Sequence, residues 1–211
     1  MDKIDHIKQS LRNAERRESK LNELVVMTPG QTGLKVRHLL NNICDFEGCN
    51  YLEIGINRGA TLTSSLYNNP INDAYAIEIT DINNKEILSH KDKFNVKFEY
   101  INEDCFKVDL SKFKNKINVY LYDGDHSYAS HYKALEYFYP ILDDEFIYLV
   151  DDWVGNLSPY YEEWKQVSDA TYDAIEKLNL KILFERHKMK SILDKQEDAW
   201  WGGFWISLLK K

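Results

Sequence analysis

The stretch YLEIGINRGAT, Tyr51 to Thr61, decides how the chain is read. An apolar run enters two glycines four residues apart, Gly55 and Gly59, and continues into the helical pattern TLTSSLY. Glycine reaches backbone conformations closed to other residues. Gly55 lets the turn tighten beside a ligand, and Gly59 lets N–H groups at the helix start face a polar or anionic group. An ordinary strand-to-helix turn also calls for glycine, so the loop alone leaves both readings open. Neither GxGxxG nor GxxxxGK[ST] occurs, which argues against a dinucleotide fingerprint and a triphosphate cradle.

Working outward, the runs AYAIE, VKFEYIN, INVYLYDGD and FIYLVDD each end in polar residues, mostly acids, and are followed by a helical or turn stretch. With YLEIG they make five runs alternating with helices, the pattern of a parallel sheet covered on both faces. LKILFERH and GFWISLL are two further candidate strands. Upstream, Ile4, Ile7 and Leu11, then Leu21, Leu24 and Val25, recur at helical spacing and predict one or two amphipathic helices. VMTPGQTG breaks that pattern before LKVRHLLNNIC resumes it, so a loop feeds a helix.

Composition bounds the function. With 211 residues, 44% hydrophobic and 29% charged, the chain is expected to form one folded domain with at most an appended element. Acidic residues outnumber basic ones 34 to 27, and the net charge of -7 opposes the phosphate neutralisation of general nucleic-acid binding. Cys44, Cys49 and Cys105 are an odd set without CxxC spacing, suggesting neither a disulfide framework nor a thiolate zinc site. No apolar stretch approaches the roughly 18 residues of a membrane span. The opening MDKIDHIKQS has no apolar signal core, so a cytoplasmic setting is expected.

In open α/β sheets ligands bind beyond the carboxyl ends of the strands, where this chain puts its acids. Glu78 ends the second run about twenty residues after the glycine loop, where a carboxylate can accept from a ribose diol. Asp104 and Cys105 follow the third run, and Asp104 suits either a base edge or a cap on the next turn. DGDHSY places Asp123, Asp125 and His126 after the fourth run, and VDDW places Asp151 and Asp152 after the fifth. Adjacent strands lie about 4.8 Å apart, so such acids can converge on one hard cation, or can cap helices without any metal. His126 is placed to take a proton from a hydroxyl, or to serve as a structural hydrogen-bonding residue. Trp153 is a candidate pocket wall, the five tryptophans being otherwise core or rim. His6, His38, His90, His131 and His187 read as surface or packing residues.

Taken in order, YLEIGINRGAT, AIE, EDCF and DGDHSY resemble the motif set of class I S-adenosylmethionine-dependent methyltransferases, from Leu34 to the end of the chain. The resemblance implies a Rossmann-like, doubly wound, mostly parallel seven-stranded sheet with helices on both faces. Residues 1–33 would be an N-terminal helical extension and lid loop, and residues 34–211 the methyltransferase domain. It implies that Glu53, Gly55, Gly59 and Thr61 hold the methionine end of the cofactor. Glu78 would hold the ribose, Asp104 with Cys105 would meet the adenine, and Asp123 would border the cofactor. Within the family, DGDHSY with VDDW is similar to small magnesium-dependent O-methyltransferases of the macrolide-sugar and catechol types. That likeness assigns Asp123, Asp151 and Asp152 to a metal and puts His126 where the catechol type carries a lysine base. The chain departs from the usual glycine pair before the fifth strand, carrying Asp143 to Glu145, expected to be a surface turn.

The function implied is in-line methyl transfer to a small hydroxylated acceptor such as a sugar, with His126 and Asp123 as catalytic residues and Mg2+ or a similar cation assisting. The alternatives are a metal-independent N- or O-methyltransferase, a cofactor-binding protein without turnover, and, last, a metal-dependent hydrolase. No nucleic-acid or membrane partner is expected. The amphipathic first segment suits either a homodimer contact or a lid packed on its own sheet.

Overall fold

The computed structural model describes residues 2–153, 162–188, 200 and 203–211, the side chains of 162–165 excepted. Three helices come first, α1 (Lys3–Glu15), α2 (Glu23–Val26) and α3 (Leu34–Ile43). Strands and helices then alternate as β1 (Cys49–Ile54), α4 (Ala60–Leu66), β2 (Ile71–Glu78), α5 (Asn84–Phe94), β3 (Glu99–Asn102), β4 (Ile117–Tyr122), α6 (Tyr128–Phe138) and β5 (Leu142–Asp151). The chain finishes with α7 (Glu162–Lys177), β6 (Lys181–Lys188) and β7 (Phe204–Lys210).

The seven strands form one sheet in the order β3-β2-β1-β4-β5-β7-β6. The period-two alternation of each strand feeds two separate cores. Tyr51, Val119, Leu121, Ile147, Leu149, Ile206 and Leu208 face one side, with α1, α3, α4 and α5. Leu52, Ile54, Tyr120, Tyr122, Tyr148, Val150 and Trp205 face the other, with α6 and α7. Burying both faces removes most side chains of the central strands β1, β4, β5 and β7 from water, at about 25 cal/mol per Å² of apolar surface, whereas β6 at the sheet edge stays largely exposed.

The expected mostly parallel sheet is corrected to a mixed one. β3, β2, β1, β4 and β5 pair in parallel, but β7 pairs antiparallel with both β5 and β6. β7 lies between β5 and β6 and runs against both. Asp143 to Glu145 are not a turn: they lie inside β5, with Glu145 opposite Lys210.

α1 buries Ile7, Leu11 and Ala14, one helical stripe, in the core that it shares with α3. Its ends are tied down by Lys3 Nζ donating to the Glu145 carbonyl at 2.8 Å and by Glu15 pairing with Lys35 at 3.0 Å and Lys188 at 2.5 Å. The first segment therefore packs on its own sheet. Among the described residues no helix is long and apolar enough to cross a membrane.

Candidate functional site

The chain moves from β1 outward to β2 and β3, then returns to place β4 on the other side of β1. The connections leaving β1 and β4 diverge there, opening a crevice at the carboxyl ends of the strands. It is a cavity of about 710 Å3, within the range that holds a small ligand.

One wall is the glycine loop. Gly55 has φ +83°, and a Cβ there would lie 1.9 Å from the Asp123 carbonyl oxygen, so only glycine lets the ends of β1 and β4 meet. The Asp123 N–H donates to the Ile54 carbonyl at 2.9 Å, fixing the first acid of the DGDH turn against this loop. Glu78 accepts from the N–H groups of Ile56 and Asn57 at 2.9 and 2.8 Å through Oε2, and from the Thr80 N–H and hydroxyl at 3.0 and 3.2 Å through Oε1. It thus stiffens the loop while lining the cavity. Gly59, at φ +80°, caps α4 against the ring of His90, whose Nδ1 hydrogen-bonds Thr63 Oγ1 at 2.8 Å.

Glu53 is fully buried beneath this wall and does not line the cavity. Its carboxyl accepts from the Tyr51 hydroxyl at 2.5 Å and from the Thr61 hydroxyl. Burial pushes it up to about 7. Thr61 does line the cavity, although its hydroxyl is spent on Glu53.

Beside this loop the cavity is lined by the acids. Tyr122 and Val150 are register partners in β4 and β5, so Asp123 and Asp151 emerge side by side one residue later. Asp123 is held well above the usual carboxylate range by burial and then by the charges of Asp151 and Asp152. Asp151 is pushed up to about 8 by burial and by Asp152. Asp152 turns the chain out of β5 at φ +52°, and its N–H donates to Asp151 Oδ1 at 2.9 Å. His126 Nε2 lies 3.0 Å from Asp152 Oδ2, and that carboxylate raises the imidazole above its ordinary value.

One donor atom each from Asp123, His126 and Asp152 lies within 4.8 Å of the others. The grouping differs from the expected Asp123, Asp151 and Asp152: His126 enters it, and Asp151 lines the cavity beside it. Asp125 accepts from the hydroxyls of Ser127 and Ser130 at 2.5 and 2.7 Å, at the start of α6.

Asp104 caps a short 3-10 turn, accepting from the Phe106 N–H at 3.0 Å, and that bond holds its carboxyl low. Asp104, Cys105 and Phe106 nevertheless line the cavity, and burial pushes the Cys105 thiol up to about 12. Trp153 is not a pocket wall. It is buried, stacked on Trp205 at 4.8 Å, with Nε1 donating to His187. Trp200 and Trp205 are buried, whereas the Trp164 side chain and Trp201 lie outside the described residues.

The sequence marked the loop before α3 as a lid but singled out none of its residues for the site. Gly30, Gln31 and Thr32 line the cavity, and Gly30 packs so closely that a Cβ there would lie 2.5 Å from the Ala60 Cβ. Arg37 Nη1 pins the loop by donating to the carbonyls of Val26 and Thr28 at 2.8 and 2.7 Å. The Thr32 hydroxyl is buried without a hydrogen-bond partner. PGQTG marked the loop in the sequence, but nothing there marked which side chain enters the cavity.

No protein-family model matches the sequence, and no curated protein is significantly similar to it. Solved structures do match. The O-methyltransferase from Bacillus cereus in complex with SAH superposes with a TM-score of 0.65 at 11% identity, covering 98% of this chain and 91% of that one. A chain assigned as an O-methyltransferase from Klebsiella pneumoniae superposes at 0.58 with 12% identity, covering 98% and 90%. One assigned as an RNA methyltransferase from Pyrococcus horikoshii superposes at 0.56 with 11% identity, covering 97% of both chains. The fold is that of class I S-adenosylmethionine-dependent methyltransferases.

Proposed function

We propose that the protein is an S-adenosylmethionine-dependent methyltransferase that methylates a hydroxyl of a small acceptor such as a sugar, assisted by a divalent cation. The observation that carries this reading is one cavity lined by both the Gly55–Glu78 loop and the Asp123–His126–Asp152 group. The net charge of -7 disfavours a polyanionic acceptor.

The residues fit both groups. For the cofactor, the buried Thr32 hydroxyl, which lines the cavity and has no hydrogen-bond partner within the protein, is a polar group that a ligand there would satisfy. For the cation, two carboxylates and an imidazole with neighbouring donor atoms are an appropriate set, which like charge would otherwise disfavour. S-adenosylmethionine supplies a sulfonium-activated methyl group, and a divalent cation supplies charge that acidifies a hydroxyl.

The chain's own residues do the positioning. Glu78 is the ribose acceptor, its Thr80 hydroxyl contact at 3.2 Å being the longest of its four and the first to yield. Ile79, Cys105 and Phe106 offer an apolar wall to the adenine. Asp123, His126 and Asp152 would hold the cation, and this group faces the acceptor hydroxyl. Residues 1–33 serve as a cover over residues 34–211, with Gly30, Gln31 and Thr32 excluding water.

The test is calorimetric titration of S-adenosylhomocysteine into the purified protein, with magnesium and then with chelator, using Glu78→Ala and Asp123→Ala alongside. Binding lost in Glu78→Ala places the cofactor at this wall. Transfer to a sugar or catechol panel that stops in chelator and in Asp123→Ala supports the metal-assisted reaction. Chelator-resistant transfer would favour the metal-independent enzyme, and no binding under any condition removes the assignment.

A further inference from the structure

We propose that Glu53 is a proton-linked positioning residue. Ionised, it favours the cationic sulfonium of S-adenosylmethionine in the cavity; protonated, it turns the Thr61 hydroxyl toward the cavity and favours the neutral thioether S-adenosylhomocysteine. The inference rests on the S-adenosylmethionine reading above and needs neither the divalent cation nor the identity of the acceptor.

The Glu53 carboxyl is sealed in the middle of the sheet without a cation to balance it. It is fully buried, on a strand flanked by Ala76 of β2 and Leu121 of β4. Its hydrogen bonds come from neutral hydroxyls, Tyr51 at 2.5 Å on Oε2 and Thr61 on Oε1. The titratable groups within electrostatic reach are Tyr51 on β1, Cys44 after α3, Glu78 at the end of β2, Asp123 after β4 and Asp151 at the end of β5. None of these is a lysine, arginine or histidine, so nothing in the protein offsets the charge of an ionised Glu53. The two hydroxyls oppose burial, which nonetheless holds the group at about 7, where both charge states are populated at neutral pH. A charged ligand nearby would then decide between them.

Thr61 is the link to the cavity, because it lines the cavity while its hydroxyl is bonded to Glu53. A threonine hydroxyl has one proton to donate. While Glu53 is ionised, that proton is spent on Oε1. Once Glu53 carries a proton, its own O–H can donate to Thr61 Oγ1, and the Thr61 proton is freed for an acceptor atom of the ligand. Tyr51 cannot take this part: its hydroxyl already accepts from Ser65 at 2.9 Å, and it does not line the cavity. The two ligands share the same amino-acid end and differ by one charge at sulfur. Their difference therefore isolates the response to that charge, and raising the pH through 7 should favour the sulfonium form.

The full chain would be titrated calorimetrically with S-adenosylmethionine and with S-adenosylhomocysteine, at pH 7 in two buffers of different ionisation enthalpy, which yields the protons released on binding. S-adenosylmethionine should release about half a proton more, because a group at about 7 is half ionised there. Its affinity relative to S-adenosylhomocysteine should rise several-fold between pH 6 and pH 8. In Glu53→Gln both effects should disappear with circular dichroism unchanged, whereas the excess proton release should persist in Asp151→Asn. Tyr51→Phe removes a hydrogen bond to the ionised carboxyl, so the midpoint of the affinity ratio should move to higher pH. That variant keeps the test decisive if Glu53→Gln does not fold, since an unmoved midpoint counts against Glu53. Equal proton release for the two ligands, or an excess that survives Glu53→Gln, would overturn the inference while leaving cofactor binding standing. Binding of neither ligand to the folded protein would overturn the S-adenosylmethionine reading itself.

Discussion

His126 Nε2 and Asp152 Oδ2, 3.0 Å apart, bridge the turn after β4 to the residue that bends the chain out of β5. The bridge brings into one group two side chains 26 positions apart in sequence. Because the Asp152 carboxylate is the first cause of the raised imidazole value, removing its charge must lower it. In the metal-free protein, His126 should titrate above the usual 6.5 in the wild type and closer to it in Asp152→Asn. NMR titration of the His126 ring resonance reads this directly, and an unchanged midpoint would count against the pair.

Gly55 and Gly48 offer a controlled comparison, since both have φ near +80° but only Gly55 abuts another strand end. A Cβ at Gly48 meets nothing within 4 Å, so Gly48→Ala should cost only the left-handed strain, about 1 kcal/mol. Gly55→Ala must also push back the Asp123 carbonyl and should cost more than about 3 kcal/mol. Urea denaturation of the two variants measures the difference. Equal losses would mean that the β1 and β4 ends are not in tight contact.

Glu53 gives a pH dependence of defined sign. Its folded-state value of about 7 exceeds the ordinary glutamate value of 4.5. Below 4.5 both states are protonated and nothing is lost. As pH rises toward 7, the unfolded chain releases a proton that the folded one keeps, and stability falls by up to about 1.4 kcal/mol per pH unit. Relative to the wild type, Glu53→Gln should therefore gain stability from pH 5 to pH 7 and gain little beyond it. Parallel stability profiles from thermal melts at each pH would refute this account.

Arg37 is 5% exposed and holds the loop over the cavity through two carbonyls. Arg37→Met keeps most of the apolar stem but strips both carbonyls of a charged donor. Amide exchange across residues 27–33 should accelerate, and S-adenosylhomocysteine should bind several-fold more weakly, with helix content unchanged. Faster exchange with unaltered affinity would show that the loop covers the cavity without contributing to binding.

Much of this was visible in the residues. Period-two runs ending in acids announced the strands, and the spacing of Gly55, Gly59 and Glu78 announced the loop that now lines the cavity. Other features depended on partners far along the chain. Trp153 follows an acid pair and looks like a pocket wall, yet Trp205, 52 residues later, supplies the ring on which it stacks. Asp104 was ambiguous because a cap and a ligand call for the same carboxylate, and the Phe106 N–H takes it up here.

The sequence by itself determined which segments are strands, which ends carry acids and where glycine is required, because these follow from local periodicity and backbone sterics. Only the tertiary structure decided that β7 runs antiparallel between β5 and β6, that Glu53 is sealed beneath the wall by Tyr51 and Thr61, and that His126 rather than Asp151 joins Asp123 and Asp152. Each of those depends on the direction in which one strand end faces another, and direction across a sheet is set by packing between residues distant in the chain.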